Sequence, residues 1–310
     1  MKEIGGFFQL ETNSGKEYFP DAIRLNSARN CLKYIIKVYN IQNMWVPLYT
    51  CPVVWDAIKE EGCRLDFYDI DIQFRPTRRF PRNDFVLYTN YFGICGKNAE
   101  YLSDIYPNLI IDNSQSFYSQ ERGLASIYSP RKFFGVPDGG YLAMRSAVTM
   151  KNLPLDQSLD RVSHLLKRIE LGATDAYNAF KSEDAMLDHA PIKGMSNLTR
   201  AILQGLDYEE KKEVRLRNFF YLHSELKEYN ELSIDVSSDD VPMVYPLLIK
   251  DISVKNFLIN SKIYVATYWK GQMDKNVGKL FENYLLPLPI DQRYSLEDMH
   301  YILSILKEAM

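Results

Sequence analysis

Apolar positions fall into two alternating periods over the first 140 residues. Ser27 stands before a stretch in which Cys31, Leu32, Ile35, Ile36 and Tyr39 recur at helical spacing, which predicts a helix capped by that serine. Short apolar runs at 43–47 and 65–68 predict strands on either side of a helix over 53–60. Two further buried strands are predicted at 85–89 and 109–111, separated by a helical turn near 99–106. Helices alternating with strands in this way predict an α/β fold around a central sheet.

Beyond Gly140 the pattern changes. Leu159, Val162, Leu165, Leu166 and Ile169 predict a helix over 158–170, and helical signal resumes over 175–180 and 208–229. The chain then reads as strand-like at 243–249, as a short helix at 254–258 and as strand-like again at 263–268. Ser295 with Asp298 three residues on has the form of a capping box opening a last helix. With 310 residues, the chain has room for a large domain over 1–205 and a smaller C-terminal α/β domain over 206–310, the boundary lying in the helical connector.

A 46% hydrophobic content supports a sizeable core, and a net charge of -3 with both signs mixed gives no electrostatic case for nucleic acid or an anionic membrane. No apolar run approaches membrane-spanning length, and the first residues lack the apolar stretch of a signal peptide, so a cytoplasmic protein is expected. Cys31, Cys51, Cys63 and Cys95 show no metal-site or disulfide-framework spacing and read as reduced thiols. His164, His189, His223 and His300 are isolated, without a partner at metal-ligand spacing, so no metal site is expected.

The candidate chemistry lies in Leu109-Ile110-Ile111-Asp112-Asn113-Ser114-Gln115, then Ser129-Pro130-Arg131-Lys132, then Asp138-Gly139-Gly140. An acid ends an apolar run and a lysine stands in the next turn-rich loop, the two groups a pyridoxal-phosphate enzyme needs around its cofactor. Asp112 would keep the pyridine nitrogen protonated, and Lys132 would form the Schiff base and serve as the base, its amine held neutral partly by burial. Ser27, with the free N–H groups at its helix start, is suited to a phosphate, and Ser129 offers a second ligand, aided by Arg29 or Arg131.

This arrangement resembles the DegT/DnrJ/EryC1/StrS sugar aminotransferases through nearly the whole chain. The matching landmarks, in order, are Asn26-Ser27-Ala28-Arg29-Asn30, Val46-Pro47-Leu48-Tyr49-Thr50-Cys51, Asp69-Ile70-Asp71, Asn90-Tyr91-Phe92-Gly93, Asp112 to Gln115, and Lys132 before the Gly139-Gly140 pair. Arg217-Asn218-Phe219, Tyr268-Trp269 and Leu286-Pro287-Leu288-Pro289-Ile290 resemble the C-terminal landmarks. The resemblance implies a fold-type-I, pyridoxal-phosphate-dependent transferase with a mostly parallel central sheet. It implies Lys132 and Asp112 as catalytic residues, Gln115 on the ring-hydroxyl side, Ser27, Ala28 and Arg29 at the phosphate, and Tyr49 or Tyr91 stacked on the ring.

The same resemblance implies amino transfer, with glutamate as donor, to a keto-sugar carried by a nucleotide, in a homodimer; the family's segment that reaches the neighbour's phosphate has no clear counterpart here, and Ser196 or Asn197 is expected to take its place. Related sugar dehydratases carry histidine in place of the lysine, so Lys132 favours the transaminase. Departures from the family pattern are Ala28 for the usual Gly, Ser114 for Ala, Ile127 where a Ser is common, and Cys51 where an aromatic is common. They leave open a non-catalytic member that binds cofactor, sugar or a partner without turnover.

Overall fold

The computed structural model describes residues 4–146, 148–270 and 277–309. A seven-stranded sheet is built from β1 (Ile23–Leu25), β2 (Asn43–Pro47), β3 (Arg64–Tyr68), β4 (Val86–Thr89), β5 (Leu109–Asn113), β6 (Ala125–Tyr128) and β7 (Gly140–Met144). Its order is β1-β7-β6-β5-β4-β2-β3. The pairs from β3 to β6 are parallel, whereas β7 runs antiparallel to both β6 and β1. The expected α/β fold with a mostly parallel sheet is therefore present.

The crossovers follow the predicted pattern. Helix α1 (Ala28–Tyr39) is capped by the Ser27 hydroxyl, which accepts from the Asn30 N–H, and ends at Asn40 in the left-handed conformation. Helix α2 (Pro52–Glu60) has proline in its first turn, where no N–H is needed, and α3 (Gly96–Ile105) leads into β5. One face of the sheet packs Val46, Leu87, Ile110 and Ile127 with Leu32, Ile35 and Ile58 of α1 and α2. The other packs Tyr88, Leu109 and Ile111 in a single apolar cluster with C-terminal residues such as Phe219, Tyr245, Leu286 and Met299.

That C-terminal part comprises α6 (Tyr208–Leu226), β8 (Val244–Leu248), α7 (Ile252–Asn260), α8 (Val277–Tyr284), β9 (Leu285–Pro289) and α9 (Leu296–Ala309). It is joined to the sheet through α4 (Ser163–Ala185) and α5 (Asn197–Gln204). Ser295 and Asp298 form the predicted reciprocal cap, backbone to side chain in both directions.

Three expectations change. The helix predicted over 158–170 begins at Ser163 and continues to Ala185, interrupted at Gly172, whose φ of 84° no helix interior adopts. Residues 263–268 form no strand: Ile263 and Val265 are buried and Tyr264 is exposed, so the alternation reflects packing of a loop against the core. β9 instead pairs with β8, its prolines tolerated because a two-stranded ribbon leaves each strand one free edge.

Candidate active site

Sheet register assembles the centre of the site. Thr89 lies opposite Asp112, and Asp112 opposite Ile127, so three neighbouring strands present these residues in one row at their C-terminal ends. This row opens into a cavity of about 280 Å³ that Ser27, Ala28, Arg29, Gln115, Ser129 and Lys132 also line. Ligands collect at such strand ends in open α/β sheets. The Asp112 carboxylate accepts the Ser114 N–H at 2.9 Å, a local turn that fixes the acid at the strand exit. Gln115 is buried; its Oε1 accepts the Phe92 N–H at 2.9 Å, while its Nε2 has no partner among the described residues.

A second group of residues shapes the pole at the start of α1. The Asn26 amide donates to Asp156 at 3.0 Å and its carbonyl oxygen accepts from Asn30 at 2.7 Å, so the residue before the cap is locked from both sides. Asp156 also binds Arg161 and Lys193. Gly139 and Gly140 let the chain pass close to this helix start. A Cβ on Gly140 would lie 2.5 Å from the Ser27 carbonyl carbon and 2.7 Å from the Ala28 nitrogen, and Gly139 has a φ of 118°.

Lys132 closes a short 3-10 turn, Pro130–Lys132. Its side chain is exposed rather than buried, which corrects the expected enclosure of the amine, and it has no hydrogen bond or ion pair among the described residues. It stands in the wall between the strand-end cavity and a neighbouring hollow of about 690 Å³ bounded by α4, α6 and residues 291–293. Both arginines at this end are engaged: Arg131 with Asp184 at 2.7 Å, and Arg29 with Asp188.

Tyr49 and Tyr91 are not brought to the cavity. They are buried against each other, ring centroids 5.8 Å apart, with the Tyr91 hydroxyl donating to the Tyr49 carbonyl at 2.7 Å. Burial pushes both phenols far above their ordinary range. The aromatic that does line the cavity is Trp269, edge-on to Tyr49 at 4.5 Å. Asn197 is the exposed first residue of α5. Its neighbour Ser196 caps that helix and donates to the buried Asp138 at 2.8 Å.

Thr89 lines the cavity, and Asp156 holds its edge, without having stood out in the sequence. Thr50 and Trp269, which also line it, and Asp138 at its edge each belonged to a quoted segment but were given no role there. Among the described residues no His, Cys, Asp and Glu cluster could hold a metal ion. No described helix is long and apolar enough to cross a membrane. The four cysteines are unpaired.

The strand order gives a mostly parallel seven-stranded sheet with the cavity at its strand ends. No family model and no curated protein sequence matches the chain. Solved structures do. A DegT DnrJ EryC1 StrS aminotransferase from Brucella abortus superposes with a TM-score of 0.63 at 14% identity, covering 93% of this chain and 85% of the other. The aminotransferase TlmJ from Streptoalloteichus hindustanus gives 0.64 at 16%, covering 93% and 85%. An E. coli GDP-4-keto-6-deoxy-D-mannose-3-dehydratase with bound hydrated PLP gives 0.64 at 15%, covering 92% and 87%. The chain thus has the fold of these proteins.

Proposed function

We propose that the protein is a pyridoxal-phosphate-dependent aminotransferase acting on a keto-sugar, carried by a nucleotide, with glutamate as amino donor. The observation that carries this reading is the convergence of Asp112, Gln115, Ser27, Ser129 and Lys132 on one strand-end cavity. The residues present fit the cofactor. The unpartnered Gln115 amide calls for an acceptor, the two glycines leave room at a helix start, and an acid and an amine share the same hollow. When bound, pyridoxal phosphate supplies an electron sink for negative charge at the substrate carbon.

The chain's own groups divide the remaining work. The N–H groups opening α1 and the hydroxyls of Ser27 and Ser129 bind phosphate, where the helix dipole favours negative charge. Asp112 holds a proton at the pyridine nitrogen by a charge-assisted hydrogen bond, and Gln115 Nε2 donates to the ring oxygen. Lys132 would be the residue that anchors the cofactor covalently, and its amine would hold or move the proton at the substrate carbon. Trp269 replaces the two tyrosines as the ring-face aromatic.

This reading carries over the homodimer, with Asn197 serving the neighbouring site, the division at 205/206, and the cytoplasmic location. It is tested by adding pyridoxal phosphate to the purified chain: a visible band, fixed by borohydride at Lys132, and its loss on adding glutamate are expected. Screening nucleotide-linked keto-sugars then identifies the acceptor. One observation favours a second reading, binding without turnover: Arg29 and Arg131 already hold carboxylates. A stable visible band that no amino donor discharges would select it.

A further inference from the structure

The segment Arg75-Pro76-Thr77-Arg78-Arg79-Phe80-Pro81-Arg82, between β3 and β4, has no part in the site above. It is anchored at both ends. Asp71 accepts the Gln73 and Arg75 N–H groups at 2.9 Å each, and Phe80 is buried with its ring against Trp45, Tyr68 and Tyr106. The four arginines consequently point outward, and all four are exposed. Together with α3 they line a cleft of about 730 Å³ in which Asp104 is the single acid.

The cleft concentrates arginines that lack a carboxylate partner, a state shared elsewhere among the described residues by Arg145, Arg168, Arg215 and Arg217, which lie outside it. Arg24, Arg29, Arg64, Arg122, Arg131, Arg161, Arg200 and Arg293 each have a carboxylate partner. Arg75, Arg78, Arg79 and Arg82 have no ion pair among the described residues. Arg78 lies 3.9 Å from the Trp45 ring centroid, and Arg75 donates to Asn98 at 3.3 Å, neutral contacts that orient a guanidinium without cancelling its charge. A chain of net charge -3 has thus gathered four uncompensated cations in one concavity. Tyr101, 66% exposed, offers an aromatic face at its edge.

We infer that this cleft binds a phosphate-bearing small molecule of the nucleoside diphosphate class, its phosphates taken by the arginine forks and its base laid against Tyr101. Guanidinium groups match phosphate oxygens in paired hydrogen bonds, and an aromatic face accepts any base by stacking. The lining shares no residue with the Lys132 cavity, so this is a second site.

Titration calorimetry of the full chain with uridine diphosphate, and with inorganic pyrophosphate, tests it. Both probes should bind at physiological salt. The double variant Arg79→Glu, Arg82→Glu should weaken uridine diphosphate at least tenfold with an unchanged melting temperature, because both side chains are exposed and make no ion pair or side-chain hydrogen bond among the described residues, whereas Lys132→Ala should leave that affinity unaltered. The inference is overturned if neither probe binds, if the charge reversal changes nothing, or if Lys132→Ala alone abolishes binding. It is equally overturned if the chain sediments with phosphatidylserine vesicles, or holds a single-stranded oligonucleotide, while ignoring both free probes.

Discussion

The cavity at Lys132 and the cleft at Arg79 are both hollows beside one sheet, yet they are built in opposite ways. The cavity gathers residues from Ser27 to Trp269, and several of its polar groups are buried and committed to other partners. The cleft uses two short segments, 75–82 and 98–106, and its cations stand in solvent. Buried polar groups are costly unless paired, so the first hollow is specified by the whole fold and damaged by distant changes. The second depends mainly on one loop, and screened surface charges there contribute little to stability.

The sharpest way to break this contrast is at Lys132. Lys132→Ala should lower amino transfer by roughly 10⁴-fold while leaving the melting temperature unchanged, since the side chain is exposed and has no partner among the described residues. Single-turnover kinetics and borohydride mapping read the result; an adduct on another lysine would remove the assignment. Asp112→Asn comes next. The amide keeps an oxygen for the Ser114 N–H, so the fold should persist while turnover drops about 10²–10³-fold. Activity within a few-fold of wild type would assign the ring nitrogen to another acid.

Two further variants ask whether the cavity depends on remote support. Asp156→Ala removes the acceptor shared by Asn26, Arg161 and Lys193 and should cost about 3 kcal/mol in denaturant unfolding. A loss confined to a few tenths would show that the helix start needs no such lock. The same carboxylate sets an acid limit. Burial alone would raise its pKa, but hydrogen bonds from Asn26 and Gln157, with the charges of Arg161 and Lys193, outweigh burial and hold it below the ordinary value. Its stabilisation is therefore present above the unfolded-state value, roughly 3.9, and is lost as pH falls through the lower folded-state value. Melting curves of wild type should fall more steeply on acidification than those of Asp156→Asn.

The smallest effect is expected at Gly140→Ala, whose methyl would press on the Ser27–Ala28 backbone at a cost of about 1–3 kcal/mol. Its cofactor affinity should fall before its stability does. Equal affinity in a stable variant would mean that the helix start yields without harm to phosphate binding.

Much of the sheet was legible because its period is local. The run Asn43–Pro47 is read as a strand and is one, and Ser27 caps the helix its spacing demands. β6 and β7 gave no comparable signal: Ala125-Ser126-Ile127-Tyr128 is buried throughout but carries small Ala and Ser in place of a continuous apolar run, so its composition does not mark it. β9 was hidden by its prolines, and the loop at 263–268 imitated a strand because burial on one side produces the same alternation without a partner strand.

By itself the sequence determined the serine cap and which short segments carry the candidate acid, lysine and glutamine, since the turn or helix start of each is set by neighbours in the chain. Only the tertiary structure decided that Tyr49 and Tyr91 are core and that Trp269, far along the chain, faces the cavity. Register across three strands placed Thr89 beside Asp112, and Asp156 came to hold Asn26 across 130 residues. Such meetings are fixed by packing the two faces of the sheet, and nothing in a local residue pattern carries that information.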